Sequence, residues 1–185
     1  MTVLDLTHSC DMQFVAEVAR ESGQNLTLCY QCGNCTAGCP FTFAYDLPAS
    51  SVMRALQWGQ RETVLACSSI WICATCKTCT TRCPNNIDVA RIMEVLRHIS
   101  RREGYAPEKQ IKQFQDSFLQ SVMRHGRVFE LGTMMSFIAR SRRLADMDLG
   151  PKALTRGKLA LRARDIHGRD EVEKIFRRYR EGLEK

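Results

Sequence analysis

Eight of the ten cysteines in this 185-residue chain fall into two copies of one motif, C-x2-C-x2-C-x3-C-P. This spacing is a ligand signature of bacterial-type [4Fe–4S] clusters. One copy could be a coincidence in a cysteine-rich segment, whereas two identical copies indicate two clusters and therefore electron transfer. The first copy consists of Cys29, Cys32, Cys35, Cys39 and Pro40, and the second of Cys73, Cys76, Cys79, Cys83 and Pro84.

The fourth cysteine of each motif directly precedes a proline. Proline disfavours the α conformation in the residue before it, so the chain leaves the cluster that the first three thiolates wrap. In two-cluster proteins this fourth cysteine ligates the other cluster. The motifs therefore predict two crossed ligand sets: Cys29, Cys32, Cys35 and Cys83 for one cluster, and Cys73, Cys76, Cys79 and Cys39 for the other.

Two other roles for repeated cysteines compete with cluster binding. Disulfides form in oxidising compartments, but the chain opens MTVLD without the basic and apolar segments of a secretory signal. Zinc motifs pair two C-x2-C hooks rather than a triplet and a fourth Cys-Pro. The spacing favours iron–sulfur clusters, and two four-thiolate zinc sites are the alternative.

The remaining cysteines and the glycines of the first motif carry separate expectations. Cys67 lies in an apolar segment just before the second motif, so we expect it in the core rather than at a cluster. Cys10 has no assigned role. Gly33 and Gly38 suit tight turns near an inorganic core. The four histidines are scattered and no catalytic partner is evident near any of them, so we predict no catalytic residues.

Charge is unevenly distributed along the chain. Residues 1–100 carry 7 Lys/Arg and 8 Asp/Glu, whereas residues 101–185 carry 20 and 12. A basic tail invites a nucleic-acid interpretation, but acidic residues are interleaved and no nucleic-acid-binding motif accompanies them. No apolar run approaches the 18 or more residues of a membrane span. We therefore expect no nucleic-acid partner, no membrane span and a cytoplasmic location.

Apolar residues recur at helical spacing along most of the chain. In the first half we expect helices over residues 11–20, 48–57, about 61–68 and 88–104. No segment is rich in strand signals, and the helical insert between the motifs argues against the small β-hairpin ferredoxin fold. We predict an all-α protein: an α-helical ferredoxin domain over residues 1–104, with a helical, basic extension over residues 105–185.

The extension carries more apolar surface than a helical pair can hide. One stripe runs from Ile111 to Met123, and the helix from Val128 to Ile138 is apolar nearly all round, so it should be buried on more than one side. A last helix should begin near Asp170. Exposed apolar patches mark interfaces, so we expect this half to pack against or dock a partner.

Residues 28–40, LCYQCGNCTAGCP, and residues 70–84, IWICATCKTCTTRCP, resemble the two cluster motifs of the C subunit of heterodisulfide reductase. Residues 52–59, VMRALQWG, fit that family as well, so the resemblance covers about residues 10–104. Similar helical ferredoxin domains occur in iron–sulfur subunits of succinate and fumarate dehydrogenases, and of glycolate and glycerol-3-phosphate oxidoreductases.

The resemblance implies a non-catalytic relay protein with two [4Fe–4S] clusters. In this family, the C subunit passes electrons to or from a catalytic B subunit, which a flavin-bearing A subunit often joins. The chain lacks the cysteine-rich CCG-type repeat of the B subunit, which fits a relay. The alternatives are an iron–sulfur subunit of another dehydrogenase complex, a free-standing ferredoxin-type carrier, and a nucleic-acid protein with a structural cluster.

Overall fold

The computed structural model describes residues 10–142, 153, 155–157 and 159–183. Every regular element in this part of the chain is a helix, which confirms the prediction of an all-α fold. The chain divides into two compact units, Met1–Glu108 and Lys109–Lys185. None of the described helices has both the length and the hydrophobicity needed to cross a membrane.

The first unit contains seven described helices and two 3₁₀ turns, and both motifs belong to it. The 3₁₀ turns lie at Leu26–Leu28 and Thr42–Ala44. The helices are α1 Met12–Ser22, α2 Asn34–Ala37, α3 Ala49–Gln57, α4 Arg61–Leu65, α5 Ser69–Ile72, α6 Thr78–Thr81 and α7 Val89–Arg102.

Local sequence explains where the longer helices begin and end. Asp11 caps α1 by accepting a hydrogen bond from Phe14 N at 2.9 Å, and Gly23 ends it in the left-handed conformation. Asp88 caps α7 in the same way through Arg91 N at 3.0 Å. Pro48 precedes α3, as expected of a proline-started helix.

The core of the first unit lies between α1, α3 and α7. Phe14, Val52, Leu56, Ile92 and Leu96 are fully buried there, and these residues follow the spacing that the sequence predicts. Removing a buried aliphatic side chain of this kind costs about 2–5 kcal/mol. Helices α3 and α7 therefore each contribute fully buried residues to the core of this unit.

The short helix expected over about residues 61–68 is α4, which begins at Arg61 and ends earlier, at Leu65, and a second short helix that the sequence did not predict, α5, follows at Ser69–Ile72. The Asp46 carboxylate accepts hydrogen bonds from Ser68 N at 2.8 Å and Ser69 N at 3.0 Å, which starts α5. Between the two helices, Cys67 is 6% exposed and its Sγ donates to Val64 O at 3.1 Å. The prediction of core packing for Cys67 is thus confirmed.

The second unit contains α8 Lys109–His125, α9 Glu130–Ser141 and α10 Arg169–Leu183. Small polar residues lie between α8 and α9: Ser117, Ser121 and Thr133 are buried, and Ser121 Oγ accepts from Phe129 N at 2.8 Å. Helix α10 begins at Arg169, which confirms the prediction that the last helix begins near Asp170.

The second unit contradicts the prediction that the apolar helix over residues 128–138 is buried on more than one side. In that unit Met134 and Met135 are 40% and 62% exposed, and on α8 Phe114 and Phe118 are 44% and 40% exposed. The reason is that small serine and threonine side chains occupy the buried positions between α8 and α9, while Phe114 contacts Phe137 of α9 edge-on, with ring centroids 5.7 Å apart, and stays partly exposed. The unit thus presents an unusually apolar surface for a basic segment.

Candidate metal centres

The two motifs adopt the same backbone conformation. In each, the residue before the second cysteine and the residue after it are left-handed: Gln31 and Gly33 in the first motif, Thr75 and Lys77 in the second, with φ between 52° and 81°. A short helix, α2 or α6, then carries the third cysteine. The left-handed conformation is costly for any residue other than glycine. Its occurrence at three non-glycine positions therefore indicates a tight turn that the site requires.

Each predicted ligand set lines a single cavity. Cys29, Cys32, Cys35 and Cys83 line one cavity. Cys39, Cys73, Cys76 and Cys79 line another. The structure therefore brings the fourth cysteine of each motif to the other motif's cavity, in the arrangement that the Cys-Pro pairs predict. All eight are free thiols, and in each cavity one of them, Cys32 or Cys76, is exposed.

The surroundings of the thiols fit a [4Fe–4S] cluster. Met53 and Ile87 line the first cavity, and Ala90 and Met93 line the second, so each has apolar walls. Among the described residues, no three His, Cys, Asp or Glu side chains converge as around a single metal ion. Four thiols spread around each cavity instead fit a multi-atom cluster, whose iron atoms are bound by thiolates.

Hydrogen-bond donors reach several of the thiols. Gln31 Nε2 lies 3.3 Å from Cys29 Sγ, and Ile87 N lies 3.4 Å from Cys83 Sγ. At the second cavity, Thr78 Oγ1 lies 3.4 Å from Cys76 Sγ. Donors of this kind stabilise thiolate and the electron-rich state of a cluster.

Burial opposes ionisation of some of these thiols before iron binds. It raises the pKa of Cys79 to about 11, and it raises the pKa of Cys35 as well. The hydrogen bond from Thr78 lowers the pKa of Cys76, which is exposed. Because iron binds thiolate, cluster assembly must release the protons of the buried thiols.

Tyr45 lines the second cavity and was not singled out from the sequence. Burial, followed by the nearby Cys73 and Cys39, raises the pKa of its hydroxyl. The hydroxyl therefore stays protonated at neutral pH and can donate to a thiolate there. An isolated tyrosine six residues after the last cysteine of a motif carries no sequence signal of this role.

The repeat extends beyond the cysteines to the helices beneath them. Thr36 and Thr80, each directly after a third cysteine, accept hydrogen bonds at the start of the next long helix: Ser50 N donates to Thr36 Oγ1 at 2.9 Å, and Ala90 N to Thr80 Oγ1 at 3.3 Å. Helices α3 and α7 are thus equivalent supports. The sequence does contain this signal, as a threonine at the same place in both motifs.

Gly38 and Arg82 occupy equivalent positions, and the Arg82 side chain lies across Gly38. A Cβ at Gly38 would overlap the Arg82 side chain, although Gly38 itself has an ordinary φ of −95°. Gly33, by contrast, has φ 81° and open space around it. The tight turn expected at Gly33 is present, whereas Gly38 has an ordinary helical backbone and lies against the flexible side chain of Arg82.

One histidine has a carboxylate partner that sequence reasoning did not find. His125 Nδ1 lies 2.7 Å from Asp165 Oδ1, and Asp165 Oδ2 accepts from Arg169 at 3.1 Å. The bond to His125, then that to Arg169, lowers the pKa of Asp165. Ile166 N also donates to His125 O at 3.1 Å, so the pair fastens the segment before α10 to the end of α8.

Comparison with known proteins is consistent with this geometry. Residues 28–88, which include all eight motif cysteines, match the family described as "4Fe-4S dicluster domain". A dicluster domain holds two [4Fe–4S] clusters, so the prediction of the cofactor is confirmed.

Several curated proteins are similar to this chain. It is 35% identical over 77 residues to the iron–sulfur C subunit of CoB–CoM heterodisulfide reductase from Methanopyrus kandleri, covering 42% of this chain and 40% of that protein. It is 33% identical over 89 residues to the C subunit of ferredoxin:CoB–CoM heterodisulfide reductase from Methanosarcina mazei, covering 48% of this chain and 55% of that protein. The chain spans about half the length of the curated relatives it matches. The resemblance inferred from the motifs is confirmed.

Proposed function

We propose that this chain, whose 4Fe-4S dicluster domain is homologous to that of the C subunit of heterodisulfide reductase, belongs to an oxidoreductase complex as its electron-transfer component. It relays electrons through two [4Fe–4S] clusters to or from a catalytic subunit. The observation that carries this proposal is the crossed arrangement of the cysteines, because each cavity is completed by a cysteine of the other motif. Motifs interlocked in this way would hold both clusters within one compact unit, as a relay through two clusters requires.

The proposed ligands follow the two cavities. One cluster is held by Cys29, Cys32, Cys35 and Cys83, and the other by Cys73, Cys76, Cys79 and Cys39. When bound, the clusters supply one-electron chemistry. The chain's own contribution is to supply thiolates, to bury the cluster between α3 and α7, and to direct hydrogen bonds at the sulfur atoms. The exposed Cys32 and Cys76 mark where each cluster comes nearest the surface.

The proposed partner is a protein like the B subunit of heterodisulfide reductase, which carries out the disulfide or thiol chemistry and is joined in some complexes by a flavin-bearing A subunit. The curated relatives are named as subunits, so they belong to multisubunit complexes. We propose the same for this chain, as a relay without catalytic residues of its own. A cytoplasmic location stays a prediction from the sequence.

The second unit is the proposed docking element. Phe118, Leu119, Met134 and Met135 are each at least 40% exposed on α8 and α9. Residues 101–185 carry 20 Lys/Arg against 12 Asp/Glu. An apolar surface within a basic segment suits a partner whose face is apolar at its centre and acidic at its rim. We assign that face to the catalytic partner, the protein like the B subunit.

Electron delivery to the partner tests the proposal. The chain, reduced anaerobically and mixed with the catalytic partner and the partner's disulfide substrate, should be reoxidised within the turnover time of the complex, with the absorbance of both clusters returning together. A free-standing carrier would instead exchange electrons equally fast with unrelated ferredoxin-dependent proteins. The proposal would be contradicted by a chain that stays reduced with an active catalytic partner and its disulfide substrate, and that also stays oxidised with the same partner and its thiol substrate.

A further inference from the structure

Each of the two supporting helices, α3 and α7, has one side chain that donates hydrogen bonds to the backbone at the start of a motif. Gln57, the last residue of α3, donates through Nε2 to Leu26 O and Cys29 O, both at 2.9 Å. Arg97 of α7 donates through Nε to Ile70 O at 2.7 Å, and its Nη2 donates to Cys73 O. In both motifs the acceptors are the carbonyl of the first cysteine and the carbonyl three residues before it.

The two side chains occupy equivalent places in the repeat. Gln57 lies four residues after Met53, which lines the first cavity, and Arg97 lies four residues after Met93, which lines the second. The equivalence of α3 and α7 is independently set by the threonine hydrogen bonds at their N-terminal ends. One position in the repeat is therefore neutral beneath the first cluster and cationic beneath the second.

The charge of Arg97 is directed at the second motif alone. Its hydrogen bonds go to two backbone carbonyls, and in the described part of the chain no carboxylate forms an ion pair with it. The side chain is half-buried, so solvent screens it less than an exposed arginine. The Cys73 carbonyl that it contacts belongs to a residue whose thiol lines the second cavity.

We propose that Arg97 is a positioning residue that also raises the reduction potential of the cluster held by Cys73, Cys76, Cys79 and Cys39. Reduction adds one negative charge to a cluster that four thiolates already make anionic. A cation beside the first ligand stabilises the reduced form more than the oxidised form, because charge sets cluster potential. Gln57 positions Cys29 in the same way without this electrostatic effect. This inference rests on the proposed ligand sets.

The test is Arg97→Gln in the full-length, cluster-loaded chain, with each cluster's midpoint potential measured by EPR-monitored titration. Glutamine holds the equivalent carbonyls at position 57, so this variant should fold and keep its iron. We expect the equilibrium constant for reduction of the second cluster to fall about tenfold, which corresponds to about 59 mV for one electron. The potential of the first cluster should stay within error of the wild-type value.

Further variants make the result specific. Cys32→Ser and Cys76→Ser, each altering one exposed thiol, assign the two EPR signals to the first and second cavity. Arg97→Lys keeps the charge and should restore most of the potential. Arg102→Gln removes the same charge from the end of the same helix, where Arg102 pairs with Glu17 and Glu21 at 2.7 and 3.1 Å, and should leave both potentials nearly unchanged.

Each outcome decides the inference. The inference would be overturned if Arg97→Gln shifted the midpoint potentials of both clusters equally, or shifted neither. It would also be overturned if the Gln and Lys variants shifted the potential of the second cluster equally. In each case the charge at position 97 would not act specifically on the second cluster. Failure of the proposed function is distinguishable, since it would appear as missing iron and sulfide in the wild-type chain before any titration.

Discussion

Replacing Cys83 with alanine is expected to disturb the cluster held by the other motif's Cys29, Cys32 and Cys35. Cys83 lines that cavity and not the cavity of its own motif. The variant should lose one ligand from that cluster, and with it either one iron or the whole cubane. EPR of the reduced variant should show an altered signal from the cluster held by Cys29, Cys32 and Cys35, and a smaller change in the signal from the other cluster. Cys39→Ala should produce the reciprocal pattern.

The same variants should destabilise both motifs. Each crossing cysteine ties one motif to the other, and binding of metal contributes directly to folding free energy in small metal domains. Thermal unfolding of either variant should therefore begin at a lower temperature than in wild type. Cys67→Ala is the matched control, because Cys67 is a buried cysteine that lines neither cavity. It should keep full iron content. A lesion in Cys83→Ala confined to the Cys73, Cys76 and Cys79 cluster would show that the ligand sets are not crossed.

Removing the second unit is expected to abolish partner binding while sparing the clusters. All eight motif cysteines and helices α1–α7 precede Gly104, and residues 1–108 form a compact unit. A chain ending at Gly104 should keep most of its iron and still accept electrons from a small artificial reductant. It should fail to bind the catalytic partner, and turnover of the assembled complex should be lost.

A point variant makes the same test in the full-length chain. Met135→Glu places a charge on the exposed apolar surface of α9. Burial of a methionine contributes about 1.5–3 kcal/mol, so affinity for the partner should fall at least tenfold, since about 1.4 kcal/mol corresponds to tenfold. Ile175→Glu is the matched control, because Ile175 on α10 is also 62% exposed and lies outside the proposed surface. Unchanged binding by the truncated chain would place the docking surface on the cluster domain instead.

The sequence predicts the long helices and the cluster motifs well because both depend on local patterns. The α1 and α7 boundaries follow from Asp11, Gly23 and Asp88, whose capping roles depend on neighbouring residues only. The separation of α4 from α5 could not be predicted in this way. It depends on Asp46, which is more than 20 residues away in sequence and accepts from the start of α5.

The site shows the same division. The Cys-Pro pairs suffice to predict crossed cysteine sets, because proline acts on the residue beside it. The equivalence of Gln57 and Arg97 is not visible from sequence, because it depends on long-range hydrogen bonds and on different spacings between each motif and its helix. The apolar stripe of α9 predicts a helix correctly but not its burial, because burial depends on what the helix packs against.

The measurement that tests the central claim most directly is the iron and acid-labile sulfide content of the anaerobically purified chain. Two cubanes held by eight cysteines require about eight irons and eight sulfides per chain. The reduced protein should also give EPR signals of two interacting [4Fe–4S]⁺ clusters. Two bound zinc ions with no sulfide would contradict the account, because four-thiolate zinc sites carry no electrons.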